Sequence, residues 1–158
     1  IWNVVCKNIE GWELNIYGDG PDYAALDSKI KQYSLHKTID MYPATTNIQS
    51  VYLNSSIFCF PSRYEGFSMA LMEAMSYGLP AIAFKCPCGP SEIIENGING
   101  ILVENKNIND FAYELQKLMK DEKLREEYGI RAAMETKYKF NIDHIMKQWV
   151  SLFNDLKS

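Results

Sequence analysis

Short apolar runs alternate with helical apolar stripes along the first two-thirds of the chain, and the last third carries stripes alone. Residues 14–17 are a brief apolar run ending at Gly18. The spacing of Tyr23, Leu26 and Ile30 predicts a helix after it, with Pro21 in the first turn. Residues 37–41 predict a second strand. Residues 47–53 predict a short helix that turns Val51, Tyr52 and Leu53 toward the core. Residues 57–60 are continuously apolar, as in a strand covered on both faces. A helix over 68–77 follows, closed by Gly78 where a left-handed residue suits a helix end. Further strands are predicted over 81–84 and 100–103, with a short helix over 90–95 and an Asn96-Gly97 turn between them.

Three helices complete the pattern. Ile108, Phe111, Ala112, Leu115, Leu118 and Met119 mark the first, and the second runs from about 122 to 137. Ile142, Ile145, Met146, Trp149, Phe153 and Leu156 mark the third. Strands alternating with helices predict an α/β fold, a doubly wound parallel sheet of the Rossmann-like kind. No repeat, linker or low-complexity segment divides the sequence, so residues 1–158 are expected to be one domain, C-terminal helices included.

Composition narrows the partners. A net charge of −4 argues against a nucleic-acid partner, which calls for a basic stripe. No apolar run approaches the roughly 20 residues that cross a bilayer. The start at Ile1 lacks the basic and apolar regions of a signal peptide, and without an initiator Met the sequence reads as a fragment. Cys6, Cys59, Cys86 and Cys88 read as reduced, cytosolic thiols. Cys86-Pro87-Cys88 is half of a metal site at most, because no second Cys or His pair completes four ligands; no metal is expected.

The most specific chemistry lies in residues 61–80. Glu65 and Glu73 stand eight positions apart, separated by a turn on Gly66 and the opening of a helix. The first amides of that helix, near Ser68, Met69 and Ala70, would point back at the strand end and form an anion site from backbone N–H groups and the helix dipole. Ionised carboxylates are acceptors for hydroxyl donors. A phosphate ligand with hydroxyl-rich groups at both ends, such as a nucleotide sugar, suits a carboxylate on each side. Gly18-Asp19-Gly20 also follows a strand, so it shares the carboxyl edge of the sheet, where such folds bind ligands. Tyr23 occupies the third-glycine position of a dinucleotide fingerprint, so that motif is not met. Gly18 and Gly20 read equally as a strand-to-helix turn and as a close backbone approach to the ligand. Arg63 reads equally as a site residue and as an ion-pair partner of Glu65. Glu65, Glu73 and Glu92 also read as dipole or solvent-facing helix residues.

The ordered set Gly18-Asp19-Gly20-Pro21, Pro61-Ser62-Arg63, Glu65-Gly66-Phe67, Glu73-Ala74-Met75, Gly78-Leu79-Pro80, Gly89-Pro90-Ser91-Glu92-Ile93-Ile94 and Gly97-Ile98-Asn99-Gly100-Ile101-Leu102-Val103 resembles the donor-binding, C-terminal half of family-4 retaining glycosyltransferases of the GT-B fold. The resemblance, with its E-x7-E signature, covers nearly the whole chain. It implies that Glu65, the catalytic candidate, bonds hydroxyls of the donor sugar. It implies that Glu73 accepts from the ribose 2′- and 3′-hydroxyls. Gly66, Phe67, Ser68, Met69 and Ala70 would serve through backbone N–H groups, and Met41 and Tyr42 would lie against the base. Two positions depart from the family pattern: Ser68 stands where a glycine is frequent, and Tyr42 where the strand exit usually has glycine.

The resemblance further implies a nucleoside-diphosphate sugar donor, UDP-sugar favoured, and a glycan or lipid-linked acceptor in bacterial surface polysaccharide synthesis. It implies no metal or other cofactor, no nucleic acid, and a cytoplasmic enzyme associated peripherally with the inner face of the membrane. The N-terminal acceptor domain is absent from this chain, so the fragment is expected to be inactive alone. The basic pair that grips the diphosphate is expected on a strand that precedes or overlaps residues 1–6, with Lys7 as a candidate partner. The alternative reading is a non-catalytic nucleotide-sugar binding module of the same fold.

Overall fold

In the computed structural model, which describes residues 1–156, parallel strands alternate with helices in the order α1 (Trp2–Val5), β1 (Leu14–Tyr17), α2 (Tyr23–Gln32), β2 (Ile39–Tyr42), α3 (Ile48–Leu53), β3 (Phe58–Phe60), α4 (Met69–Ser76), β4 (Ala81–Lys85), α5 (Pro90–Ile93) and β5 (Gly100–Glu104). The helices α6 (Ile108–Lys120), α7 (Glu122–Lys139) and α8 (Ile142–Asp155) close the chain. Every element predicted from the apolar pattern is present, with ends shifted by at most two residues. Pro21 precedes α2, whose N-cap is Asp22. Gly78 lies one residue beyond the C-cap of α4, with φ +80°.

Two expectations are corrected. Residues 2–5 form a helix, not the overlap of a strand: Trp2 and Val5, three apart, turn one buried face toward α6. In α3 only Tyr52 is buried, while Leu53 is 63% exposed, because adjacent positions on a helix point about 100° apart and cannot both face inward. The parallel strands make two ladders, β1-β2 and β3-β4-β5. A doubly wound sheet typically runs 3-2-1-4-5, with its first strand at the centre. The two ladders match the two flanks of that order.

Both ladders nevertheless feed one core. Ile39 from β2, Ile82 and Phe84 from β4, and Ile101 and Val103 from β5 pack with Phe111, Ala112, Leu115 and Leu118 of α6. Leu14, Ile16, Ile57 and Cys59 cover its margin. On the other face of β4, Ala81 and Ala83 pack against Leu71 and Met75 of α4, Ile93 and Ala132. The small residues of β4 let α4 approach closely. So does Gly129: a Cβ there would stand 2.2 Å from the Gly78 carbonyl oxygen, so α7 can cross the end of α4 only at a glycine.

The last three helices are capped by their own sequence. Asn107, Asp121 and Asn141 each accept a bond from a first-turn amide, of Asp110, Leu124 and Asp143 respectively. Arg125 closes the far end of α6 by donating to the carbonyls of Leu118 and Met119 at 2.7 and 2.9 Å.

Candidate functional site

Three strand exits of the larger ladder are tied together. The Cys86 thiol, just past β4, donates to the Ser62 carbonyl past β3 at 2.9 Å. The Asn105 side-chain amide, past β5, donates to the Arg63 carbonyl at 3.3 Å. Lys85 and Glu104 pair at 3.4 Å in solvent, a contact of little energetic weight. Gly89, at φ +87°, lies against the turn before α4. A Cβ at that position would meet Ser68 Oγ at 2.6 Å, the Gly66 carbonyl oxygen at 3.1 Å and Glu65 Cβ at 3.2 Å. The loop 86–89 therefore rests directly on the turn 65–68. Burial first, and then the negative charge of Glu65, push the Cys86 thiol up, so it stays a proton donor. Burial pushes the Cys59 thiol up to about 12, which leaves it inert. All four cysteines are free.

Ser68 is the N-cap of α4, and its side chain is 1% exposed. Its hydroxyl makes no capping bond and has no partner among the described residues. Such a group costs about 1–3 kcal/mol unless something satisfies it. The amides near it depart from expectation in one respect. Met69 N–H bonds the Phe67 carbonyl at 2.9 Å, because the turn at Phe67 closes tightly, so this amide is already engaged. The first intrahelical bond runs from Met72 N–H to the Ser68 carbonyl at 3.0 Å. Ala70 and Leu71 thus precede it, and their amides belong to the open, partly positive helix end. Leu71 was not singled out by sequence because its buried side chain reads only as core.

Glu65 is half-buried in the turn beneath Gly89, and Glu73 is exposed on α4. The Tyr52 hydroxyl, from α3, donates to Glu73 Oε2 at 3.5 Å. Arg63 is exposed, and the ion pair weighed between it and Glu65 is not formed among the described residues. Phe67 sets its ring edge-on against Phe140 at 5.5 Å, and Gly66, Phe67 and Ala70 are exposed at this end of α4.

The smaller ladder brings the remaining candidates together. Gly18 N–H donates to the Tyr42 carbonyl at 3.0 Å, and the Asp19 carboxylate accepts from Ala44 N–H at 3.1 Å, so the exits of β1 and β2 are joined. The rings of Tyr17 and Tyr42 stack at 4.8 Å. Gly20 is exposed, and its carbonyl accepts from Tyr23 N–H at 3.1 Å. Met41 packs its side chain on the core, whereas Tyr42 faces partly outward, so Tyr42 is the ring available at this edge. Gly18, Gly20 and Tyr42 stand at the carboxyl end of one ladder, and Arg63 to Ala70 at that of the other. Lys7 follows α1 rather than a strand, so it lacks the position expected of a diphosphate-gripping residue.

Among the described residues no group of three or more His, Cys, Asp or Glu side chains could hold a metal ion. Among the described residues no helix is long and apolar enough to cross a membrane.

The family model described as glycosyl transferases group 1 matches residues 2–134. The amylovoran biosynthesis glycosyltransferase AmsD of Erwinia amylovora is 37% identical over 154 residues, which cover 98% of this chain and 42% of that protein. The first curated relatives are spanned over only 16–42% of their length. A crystal structure of a Staphylococcus aureus TarM variant in complex with Fondaparinux, alpha-GlcNAc-glycerol and UDP superposes with a TM-score of 0.91 at 31% identity, over 96% of this chain and 31% of TarM. The C-terminal domain of a group 1 family protein, LpcC of Francisella tularensis, superposes with a TM-score of 0.77 at 32% identity, over 89% of this chain and 75% of that one.

Proposed function

The chain belongs to the glycosyl transferases group 1 family, whose members have the GT-B fold, and from that premise we propose that it is the nucleotide-sugar-binding domain of a retaining glycosyltransferase. Residues 1–158 act as one unit, and the acceptor-binding domain lies outside this sequence. The donor is a UDP-sugar, used without a metal, and the acceptor is a glycan or lipid-linked glycan of a bacterial surface polysaccharide. The full enzyme works in the cytoplasm at the inner face of the membrane. The UDP held in the TarM structure and the amylovoran role in the AmsD name support this reading.

One observation carries the proposal. The open amino end of α4 holds a buried, unpartnered hydroxyl at Ser68 and is flanked by two carboxylates, Glu65 and Glu73. A diphosphate at this end meets the amides of Ala70 and Leu71. As the sugar–phosphate bond breaks, negative charge grows on the departing diphosphate. Donors already fixed by the helix meet that charge without reorganising. Glu65 accepts from hydroxyls of the sugar and orients it, Glu73 accepts from the ribose, and Tyr42 lies against the base. Closure of the second domain over this edge excludes water and completes the site.

Calorimetric titration of the full-length protein with UDP, GDP and ADP tests the reading. One nucleotide, UDP, should bind. Glu73→Ala should weaken it about tenfold or more, as expected when hydrogen bonds to a charged acceptor are lost. Unchanged affinity in the variant would remove Glu73 from the site. Failure of all three nucleotides to bind would overturn the donor-site reading.

A further inference from the structure

Glu73 stands on an exposed helix face, where a glutamate side chain ordinarily samples many rotamers. Its neighbour is the opposite case. Tyr52 is 5% exposed, and its ring sits edge-on against Phe58 of β3 at 6.0 Å and tilted against Tyr77, the C-cap of α4, at 5.6 Å. Ala74 and Leu79 complete the small core around it. This ring cannot turn away without opening that core. Its one polar atom emerges at the edge of the cluster and donates to Glu73 Oε2 at 3.5 Å. Burial and the negative charge of Glu73 both push the Tyr52 phenol up, so the hydroxyl keeps its proton and remains a donor.

We infer that Tyr52 is the positioning residue for Glu73, fixing the carboxylate so that its remaining lone pairs meet the adjacent 2′- and 3′-hydroxyls of a ribose, and so sets the preference for ribonucleotide over deoxyribonucleotide donors. The inference rests on the assignment of Glu73 to the ribose in the proposed function. A carboxylate offers about four lone-pair directions. One bond from Tyr52 leaves enough for two hydroxyls, and it removes the rotamer freedom that binding would otherwise have to quench. At 3.5 Å the bond is long, and bonds of this kind commonly tighten when a ligand binds.

Tyr52→Phe keeps the ring, its packing against Phe58 and Tyr77, and the small core; only the hydroxyl is lost. The experiment measures the affinity of the full-length protein and of this variant for UDP and for 2′-deoxy-UDP, with thermal unfolding as a check on folding. The unsubstituted protein should favour UDP about tenfold, the scale of one hydrogen bond to a charged acceptor. Tyr52→Phe should lower that ratio about threefold or more. In turnover assays it should raise KM for the donor while kcat stays nearly constant. A variant that keeps the full ratio would reduce Tyr52 to a packing residue and overturn the inference while leaving Glu73 in place. An unsubstituted protein that binds both nucleotides equally would overturn the ribose assignment, and the inference with it.

Discussion

Gly89 shows how much can rest on the lack of one carbon. Its φ of +87° is a conformation that side chains tolerate poorly, and an added Cβ would stand 2.6 Å from Ser68 Oγ. Strain of the first kind costs about 1–3 kcal/mol. Gly89→Ala should therefore destabilise the protein by at least that much in urea unfolding. Adding Ser68→Ala should recover the share due to collision with Oγ and none of the share due to φ or to the closer approach to Gly66 and Glu65. A double-mutant comparison separates the two. The same residues mark the limit of what spacing reveals. Glu65, Gly66 and Glu73 announce themselves in the sequence as a turn and two carboxylates. The contacts that hold them in place do not, because they join positions far apart: Cys86 to Ser62, Asn105 to Arg63, Tyr52 to Glu73. Nothing local in residues 47–53 says that Tyr52 is buried and Leu53 is not.

At the scale of elements, α6 and α8 carry equally clear apolar stripes with opposite fates. Phe111, Ala112, Leu115 and Leu118 of α6 are buried under β4 and β5, whereas no residue of α8 is buried. Trp149 is 50% exposed and shares its surface chiefly with Phe153, at 5.7 Å. Periodicity reports that a face is apolar; it is silent on what covers it. In this chain Phe111→Ala should cost about 3–5 kcal/mol. Trp149→Ala should stay within about 0.5 kcal/mol, the usual range for exposed positions. Chemical denaturation of the two variants gives the comparison, and comparable losses would mean that α8 is packed on the domain after all. The strands were legible for a related reason. Continuous apolar runs need cover on both faces, and β4, with four of its five residues buried, has it. Their ends were less legible, since hydrogen-bond pairing rather than side-chain character decides where a ladder stops. The helix at residues 2–5 was missed because three apolar residues in four are too short a pattern to have a period.

For the molecule as a whole, the division of the strands matters most. β1 is bonded to β2 alone and β3 to β4 alone, although both ladders serve the same core. Each of these strands therefore has an edge whose peptide groups face no neighbouring strand among the described residues, and α8 adds an apolar surface. Peptide groups left open along a strand are a template for strands of other molecules. A concentrated solution of this chain alone should be colloidally unstable. Light scattering over a concentration series should show the apparent mass climbing, and a mass that stays at one chain throughout would mean the edges are sealed. Storage life, in that case as much as affinity, is written into the order of the strands.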